Sequence, residues 1–220
     1  MEAMSRPIWG TKNRVSRAAR RLRDESGATL IEMTLVITLL ITVTFGIIEV
    51  ALIAWQWNTA EKATYVGVRY AVESDPVAAG FLSYSASVDG GLNPAEDVTV
   101  DKIASFAVTC GNTQCVLSDG ALPGGFDLSD YDGAAFTAIL QRVQRVFPEV
   151  AADKLAVEYR HVGLGFADRP GPDLIPAVTV SLVNMSYDVK LMDSFGMPDA
   201  LPMGGFSATM TGEDLNSGWP

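Results

Sequence analysis

Arg20 to Ile48 reads RRLRDESGATLIEMTLVITLLITVTFGII, and the fold of the whole chain turns on this stretch. It passes within a few residues from a charged run to an apolar one. From Ala28 to Trp57 the apolar character is broken only by Glu32, Glu49 and Gln56, and Met33 to Ile48 carries no charge. Thirty helical residues rise about 45 Å, more than the ~30 Å hydrocarbon core of a bilayer. The segment 28–57 therefore predicts a single transmembrane helix, with Trp55 and Trp57 in an aromatic belt at its far end. A cleavable secretory signal fits less well. Its apolar stretch is usually about 7–15 residues and ends in a small-x-small site, whereas AWQWNT follows here.

Charge gives the orientation. Residues 1–26 hold seven Lys/Arg (Arg6, Lys12, Arg14, Arg17, Arg20, Arg21, Arg23) against three acids, a net of +4, whereas Glu61 onward carries 9 basic and 21 acidic residues, a net of −12. Basic residues beside a span stay on the cytoplasmic side, so the N-terminus is expected inside and the acidic part outside. A surface so acidic does not suit nucleic acid, which needs clustered positive charge.

Glu32 calls for a reason. An acidic side chain near the middle of a membrane helix costs about 2.5–3.5 kcal/mol, and less towards an end. If the chain is cut after Gly27, Ala28 carries a free ammonium group one helical turn from Glu32. The two charges would then neutralise each other, or the carboxylate would neutralise a neighbouring subunit's amine. The bland alternative is a Glu32 that reaches back to the cytoplasmic headgroups. Gly27 has no side chain to obstruct entry of an extended backbone into a protease cleft, and Asp24, Glu25 and Ser26 favour a turn or helix start before it.

A basic leader ending in Gly27-Ala28, Glu32 at the fifth position after the glycine, and a long apolar helix together resemble a class III or type IV prepilin. Residues 27–72 further resemble the TadE-like pseudopilins of the tight-adherence (Flp) pilus, through Gly27-Ala28, Glu32, Phe45-Gly46-Ile47-Ile48-Glu49 and Gly67-Val68-Arg69-Tyr70-Ala71. Met33 stands where an aromatic residue is usual and Thr38 where proline is common, which leaves TadE-, TadF- and TadG-like members unseparated. The resemblance implies processing between Gly27 and Ala28 by a membrane prepilin peptidase. It also implies partnership with other pseudopilins and pilus-assembly membrane proteins. The expected location is the bacterial inner membrane, single-pass, with a periplasmic C-terminal domain. Entry into an extracellular filament and service as an assembly factor both remain open.

Thr34, Thr38, Thr42 and Gly46 recur every fourth residue, and Glu49 lies close to the same face. Such a stripe lets another helix approach and hydrogen-bond across the contact. The competing reading has the threonines satisfied by their own helix and Glu49, about 25 Å beyond Glu32, wet at the outer boundary.

Beyond the span, Ala60, Ala63, Thr64, Gly67, Val68 and Ala71 follow helical spacing, so residues 58–74 predict a protruding amphipathic helix that stops near Ser74-Asp75-Pro76. Residues 76–97 read as a Gly/Ser/Asp/Pro loop with room for a short helical turn, and Val98 to Thr109 as a weak strand. Cys110 and Cys115 flank GNTQ, a hairpin-like turn. Two cysteines and the lone His161 cannot make a four-ligand Cys/His zinc site, and outside the cytoplasm a disulfide is expected. Phe136, Ile139, Leu140, Val143, Val146 and Phe147 mark an amphipathic helix over 134–147. The acids before it (Asp127, Asp130, Asp132) lack the spacing of a calcium loop and suit N-terminal capping. Leu155–Val162 and Ala177–Met185 alternate as strands, Tyr187–Met192 is expected to extend the second, and Phe206–Thr211 to form the last.

The expected architecture is α+β: a leader (1–27), a membrane helix (28–57), its protruding continuation (58–74), and a small extracytoplasmic domain (75–220) with an antiparallel sheet and one packed helix. No nucleophile, metal or cofactor motif stands out, so no catalytic residue, metal ligand or cofactor is expected. The functional expectation is a minor pseudopilin. The alternatives are an unprocessed single-pass anchor presenting a binding or adhesive head, and a tethered enzyme of unrecognised motif.

Overall fold

A computed structural model describes residues 25–193, 196–213 and 215, so the basic leader up to Asp24 lies outside the described residues. The chain divides into two compact units, Met1–Val50 and Ala51–Pro220. One helix, α1 (Glu25–Ala71), supplies residues to both.

In the first unit every described element is α1. Its apolar side chains point outward: Leu30, Ile31, Leu35, Leu39 and Ile47 are all more than 60 % exposed. Among the described residues this is the one helix long and apolar enough to cross a membrane, its most apolar 18-residue window having a mean hydropathy of 2.5. An apolar surface of this extent is stable only against lipid or protein. Helix is the only single-segment conformation that pairs every backbone polar group internally in hydrocarbon.

The second unit is α+β. Its elements after α1 are α2 (Gly80–Ser83), β1 (Phe106–Cys110), β2 (Cys115–Gly120), α3 (Gly133–Gln144), β3 (Leu155–Gly165), β4 (Leu174–Leu182), β5 (Ser186–Asp188), β6 (Ala200–Pro202) and β7 (Phe206–Thr211). Five strands form an antiparallel sheet in the order β2-β1-β3-β4-β7, and β5 pairs with β6 in a separate two-stranded sheet. The period-2 rule shows in burial. Leu155, Val157, Tyr159 and His161 of β3, and Leu174, Pro176, Val178, Val180 and Leu182 of β4, point into the core. The end of α1 contributes Ala60, Ala63, Thr64, Gly67, Val68 and Ala71, all buried, the set its helical spacing selects.

Helix α3 starts where its sequence says it should. Asp132 is the N-cap, its Oδ1 accepting from the N–H groups of Ala134 (2.8 Å) and Ala135 (3.0 Å), which satisfies two otherwise orphaned donors. Asp127 Oδ1 accepts from both the N–H and the hydroxyl of Ser129, so this acid shapes a turn. Cys110 and Cys115 face each other across the β1–β2 hairpin and form a disulfide.

Three local expectations change. Residues 98–105 are not strand: the N–H groups of Lys102 and Ile103 both turn back to the Thr99 carbonyl, and pairing begins only at Phe106. Tyr187–Met192 does not extend β4. Asn184 adopts φ 53°, a left-handed turn that asparagine tolerates, and Ser186–Asp188 then pairs with Ala200–Pro202. Residues 76–97 are loop with one short helical turn, α2, but contribute to the core by side chain, with Val77, Phe81, Tyr84 and Ala86 all buried. The β3–β4 ladder shifts register between His161 and Leu164, opposite Pro176, which has no N–H to donate, and Gly163 at φ 81° absorbs the irregularity.

Candidate functional site

Gly27 and Ala28 lie in the first turn of α1, both exposed, and among the described residues a Cβ built on Gly27 would meet nothing within 4 Å. Glu32 lies four residues beyond Ala28 on the same helix and is also exposed. Helix geometry places residues i and i+4 on one face. A carboxylate at 32 therefore stands over the nitrogen that would become an ammonium group on cleavage after Gly27.

Along the stripe, each threonine hydroxyl donates to its own helix. Thr34 Oγ1 bonds the Leu30 and Ile31 carbonyls (3.0 and 2.8 Å), Thr38 bonds Thr34 O (2.7 Å), and Thr42 bonds Thr38 O (2.9 Å). Back-bonding of this kind lets a hydroxyl sit in hydrocarbon unpenalised. Among the described residues nothing lies within 4 Å of where a Gly46 Cβ would be. Glu49 is 2 % exposed.

The two tryptophans part company. Trp55 is 68 % exposed. The Trp57 ring packs edge-on against Phe206 of β7 at 4.8 Å and its indole N–H donates to Glu61 Oε1 at 3.0 Å. Thus Trp55 alone presents most of its ring outward, as an interfacial anchor must, whereas Trp57 helps seat β7.

His161, read from sequence as a strand residue without a partner, is completely buried and stacked on Phe106 at 5.8 Å. Among the described residues neither ring nitrogen makes a hydrogen bond of good geometry, the nearest polar group being the Ile103 main chain. Burial pushes its pKa below the ordinary histidine value, opposed by the nearby main chain of Ile103. As pH falls through about 6.5 the unfolded chain takes up a proton that the folded one does not. Stability is therefore full above that pH and declines below it, by up to about 1.4 kcal/mol per pH unit. We expect urea midpoints of the full chain in detergent micelles to fall between pH 7 and pH 5.5. The same series on His161→Phe should be nearly flat, because Phe preserves the stack and removes the titration. An equally steep wild-type and variant profile would refute the assignment.

Sequence reasoning missed Asp173, buried in the Gly/Pro loop before β4, whose Oδ2 accepts from the Ala86 N–H at 2.7 Å. It also missed Tyr159, whose hydroxyl oxygen accepts from the Val77 N–H at 2.9 Å. Burial raises the Tyr159 pKa further above the ordinary range. Both groups tie the irregular 76–97 segment to the sheet. The available signal was the run of apolar residues within that segment. Among the described residues no group of three His, Cys, Asp or Glu side chains is placed to hold a metal ion.

The family model described as TadE-like protein matches residues 27–69, about a fifth of the chain. No curated protein and no solved structure matches the chain. The matched segment begins at Gly27 and takes in Glu32, the whole hydroxyl stripe and the buried small residues up to Val68. Over residues 27–69 the chain is thus similar to the TadE-like family.

Proposed function

We propose that the chain is a minor pseudopilin taking part in assembly of a tight-adherence or type IV-like pilus or secretion apparatus, a structural rather than a catalytic component. A prepilin peptidase removes residues 1–27 on the cytoplasmic side. The helix from Ala28 then holds the protein in the bacterial inner membrane with its acidic α+β unit in the periplasm. Glu32 neutralises the new amino terminus, its own or a neighbour's. The stripe of Thr34, Thr38, Thr42 and Gly46 packs on the transmembrane helix of another pilus-assembly protein, whereas Glu49, already buried within this chain, takes no part in that contact. Because the hydroxyls donate to their own helix, this contact rests on close approach of small residues and not on hydrogen bonds across it.

The observation that carries the reading is that the family match starts at Gly27 itself and contains a carboxylate one turn beyond the new N-terminus. Intact-mass spectrometry of the chain co-expressed with an active prepilin peptidase tests it. The expected product begins at Ala28, and only when the peptidase is present. A product that still begins at Met1, or one that begins beyond residue 50, rejects processing and leaves an unprocessed membrane-tethered binding protein as the reading that stands.

A further inference from the structure

In the 51–220 unit a cavity of about 340 Å³ opens beside the α1 residues Leu52, Trp55 and Gln56. Phe147 and Tyr187, both buried, contribute to its lining, and Glu149, Asp188 and Lys190 are exposed on it. A second cavity of about 290 Å³ shares Gln56, Glu149, Ser186 and Asp188 with the first and adds Lys154. The two therefore form one continuous groove with an apolar part and a rim carrying both signs of charge. Lys190 Nζ and Asp188 Oδ2 stand 3.9 Å apart, with side chains 60 % and 72 % exposed. Gln56 Nε2 donates to Glu149 Oε2 at 3.2 Å and holds the second carboxylate at the helix side.

We propose that this groove binds the headgroup of a zwitterionic phospholipid, phosphatidylethanolamine, from the outer face of the membrane that α1 crosses. The proposal rests on the membrane-spanning reading given above. Leu52 to Gln56 follow Gly27 by 25–29 residues, about 38–44 Å of helix, and a bilayer with its headgroups is about 40–45 Å thick. In the 28–57 span these residues lie at the end away from the basic leader, the end that belongs to the outer headgroup layer. The exposed Trp55 ring belongs at that depth.

Charge selects the headgroup. A phosphate accepts hydrogen bonds from Lys190 or Lys154, and an ammonium group donates to Glu149 and Asp188. Ethanolamine joins the two charges through two carbons, and the groove sets opposite charges side by side on the same scale. A net anionic headgroup such as phosphatidylglycerol would bring its phosphate towards two carboxylates with no cation of its own to satisfy them. Choline carries the right charge but has no N–H to donate. Leu52 and the face of Trp55 meet the glycerol and upper acyl chain.

The test uses the full chain, stripped of lipid in detergent and offered equal amounts of palmitoyl-oleoyl phosphatidylethanolamine, phosphatidylcholine and phosphatidylglycerol, with retained lipid read by native mass spectrometry. Phosphatidylethanolamine should be retained about fivefold over phosphatidylglycerol and about threefold over phosphatidylcholine. The conservative pair Glu149→Gln with Asp188→Asn should bring ethanolamine and choline lipids level. The reversal Glu149→Lys with Asp188→Lys should favour phosphatidylglycerol. Equal retention of all three lipids, a wild-type preference for phosphatidylglycerol, variants that keep the wild-type order, or a dimer that excludes lipid would each overturn the proposal. Alkaline carbonate extraction separates the two levels. If carbonate strips the chain from membranes, the spanning reading falls and this proposal with it. If the chain resists carbonate yet shows no headgroup preference, this proposal alone falls.

Discussion

Phe81→Ala is expected to cost the 51–220 unit about 3–5 kcal/mol, the range for removing a buried aromatic ring. Phe81 is fully buried in the short helix α2 and touches three other rings: Phe126 edge-on at 4.9 Å, Tyr159 tilted at 5.6 Å and Phe106 stacked at 5.9 Å. Those partners come from a loop, β3 and β1, so one ring pins three segments distant in sequence. The gap left by alanine cannot be filled by relaxation of a single element, which places the cost at the high end for its chemistry. For a unit of this size the loss corresponds to a fall of about 10 °C or more in Tm. Thermal unfolding of the full chain in detergent, followed by near-UV circular dichroism, checks it. A shift below about 3 °C would show that the aromatic cluster is not the keystone of the core.

Gly67→Leu should destabilise the same unit by about 3 kcal/mol or more. Glycine in a helix interior is disfavoured against alanine by about 1 kcal/mol, so its presence calls for a packing reason. That reason is close approach. A Cβ at residue 67 would lie 2.7 Å from Val143 Cγ2 of α3 and 3.2 Å from Val180 Cγ1 of β4. Both neighbours are buried and β-branched, and such side chains have little rotamer freedom with which to yield. Even Gly67→Ala should cost about 1–2 kcal/mol despite its better helix propensity, and leucine drives the three elements apart. Urea titration of both variants gives the ordering wild type, alanine, leucine. A Gly67→Ala protein more stable than wild type would refute the close-packing account, because helix propensity would then outweigh the clash with the two valines.

These two residues show where sequence reading succeeds and where it stops. Gly67 lay within a spacing of three and four that already selected the inner face of α1, so its burial was legible although its two contacts were not. Phe81 sat in a stretch punctuated by Gly, Ser, Asp and Pro, where local chemistry correctly predicts an irregular backbone. Backbone regularity and core membership are separate properties. A loop is drawn into a core when its rings find partners on other elements, and no local window contains those partners. The same holds for β5. The alternation through Tyr187 fits a strand, but only the left-handed turn at Asn184 and the arrival of Ala200–Pro202 decide which sheet it joins.

The candidate site divides along the same line. Gly27, Ala28 and Glu32 are defined by spacing on one helix, and helical spacing is fixed by the sequence once the segment is helical. The groove beside Leu52 and Trp55 has no such local signature, because its walls come from α1, the segment that follows α3 and the β5 strand.

By itself the sequence determined the long apolar helix, its basic flank, the carboxylate one turn past Gly27, the capped helix α3 and the Cys110–Cys115 hairpin, because each depends on interactions within a few residues of chain. Only the tertiary structure decided that Val77, Phe81, Tyr84 and Ala86 are core, that β5 leaves the main sheet, that His161 is buried against Phe106, and that mixed charges gather around one groove. Those outcomes depend on which distant surfaces exclude water from one another, a property of the folded whole.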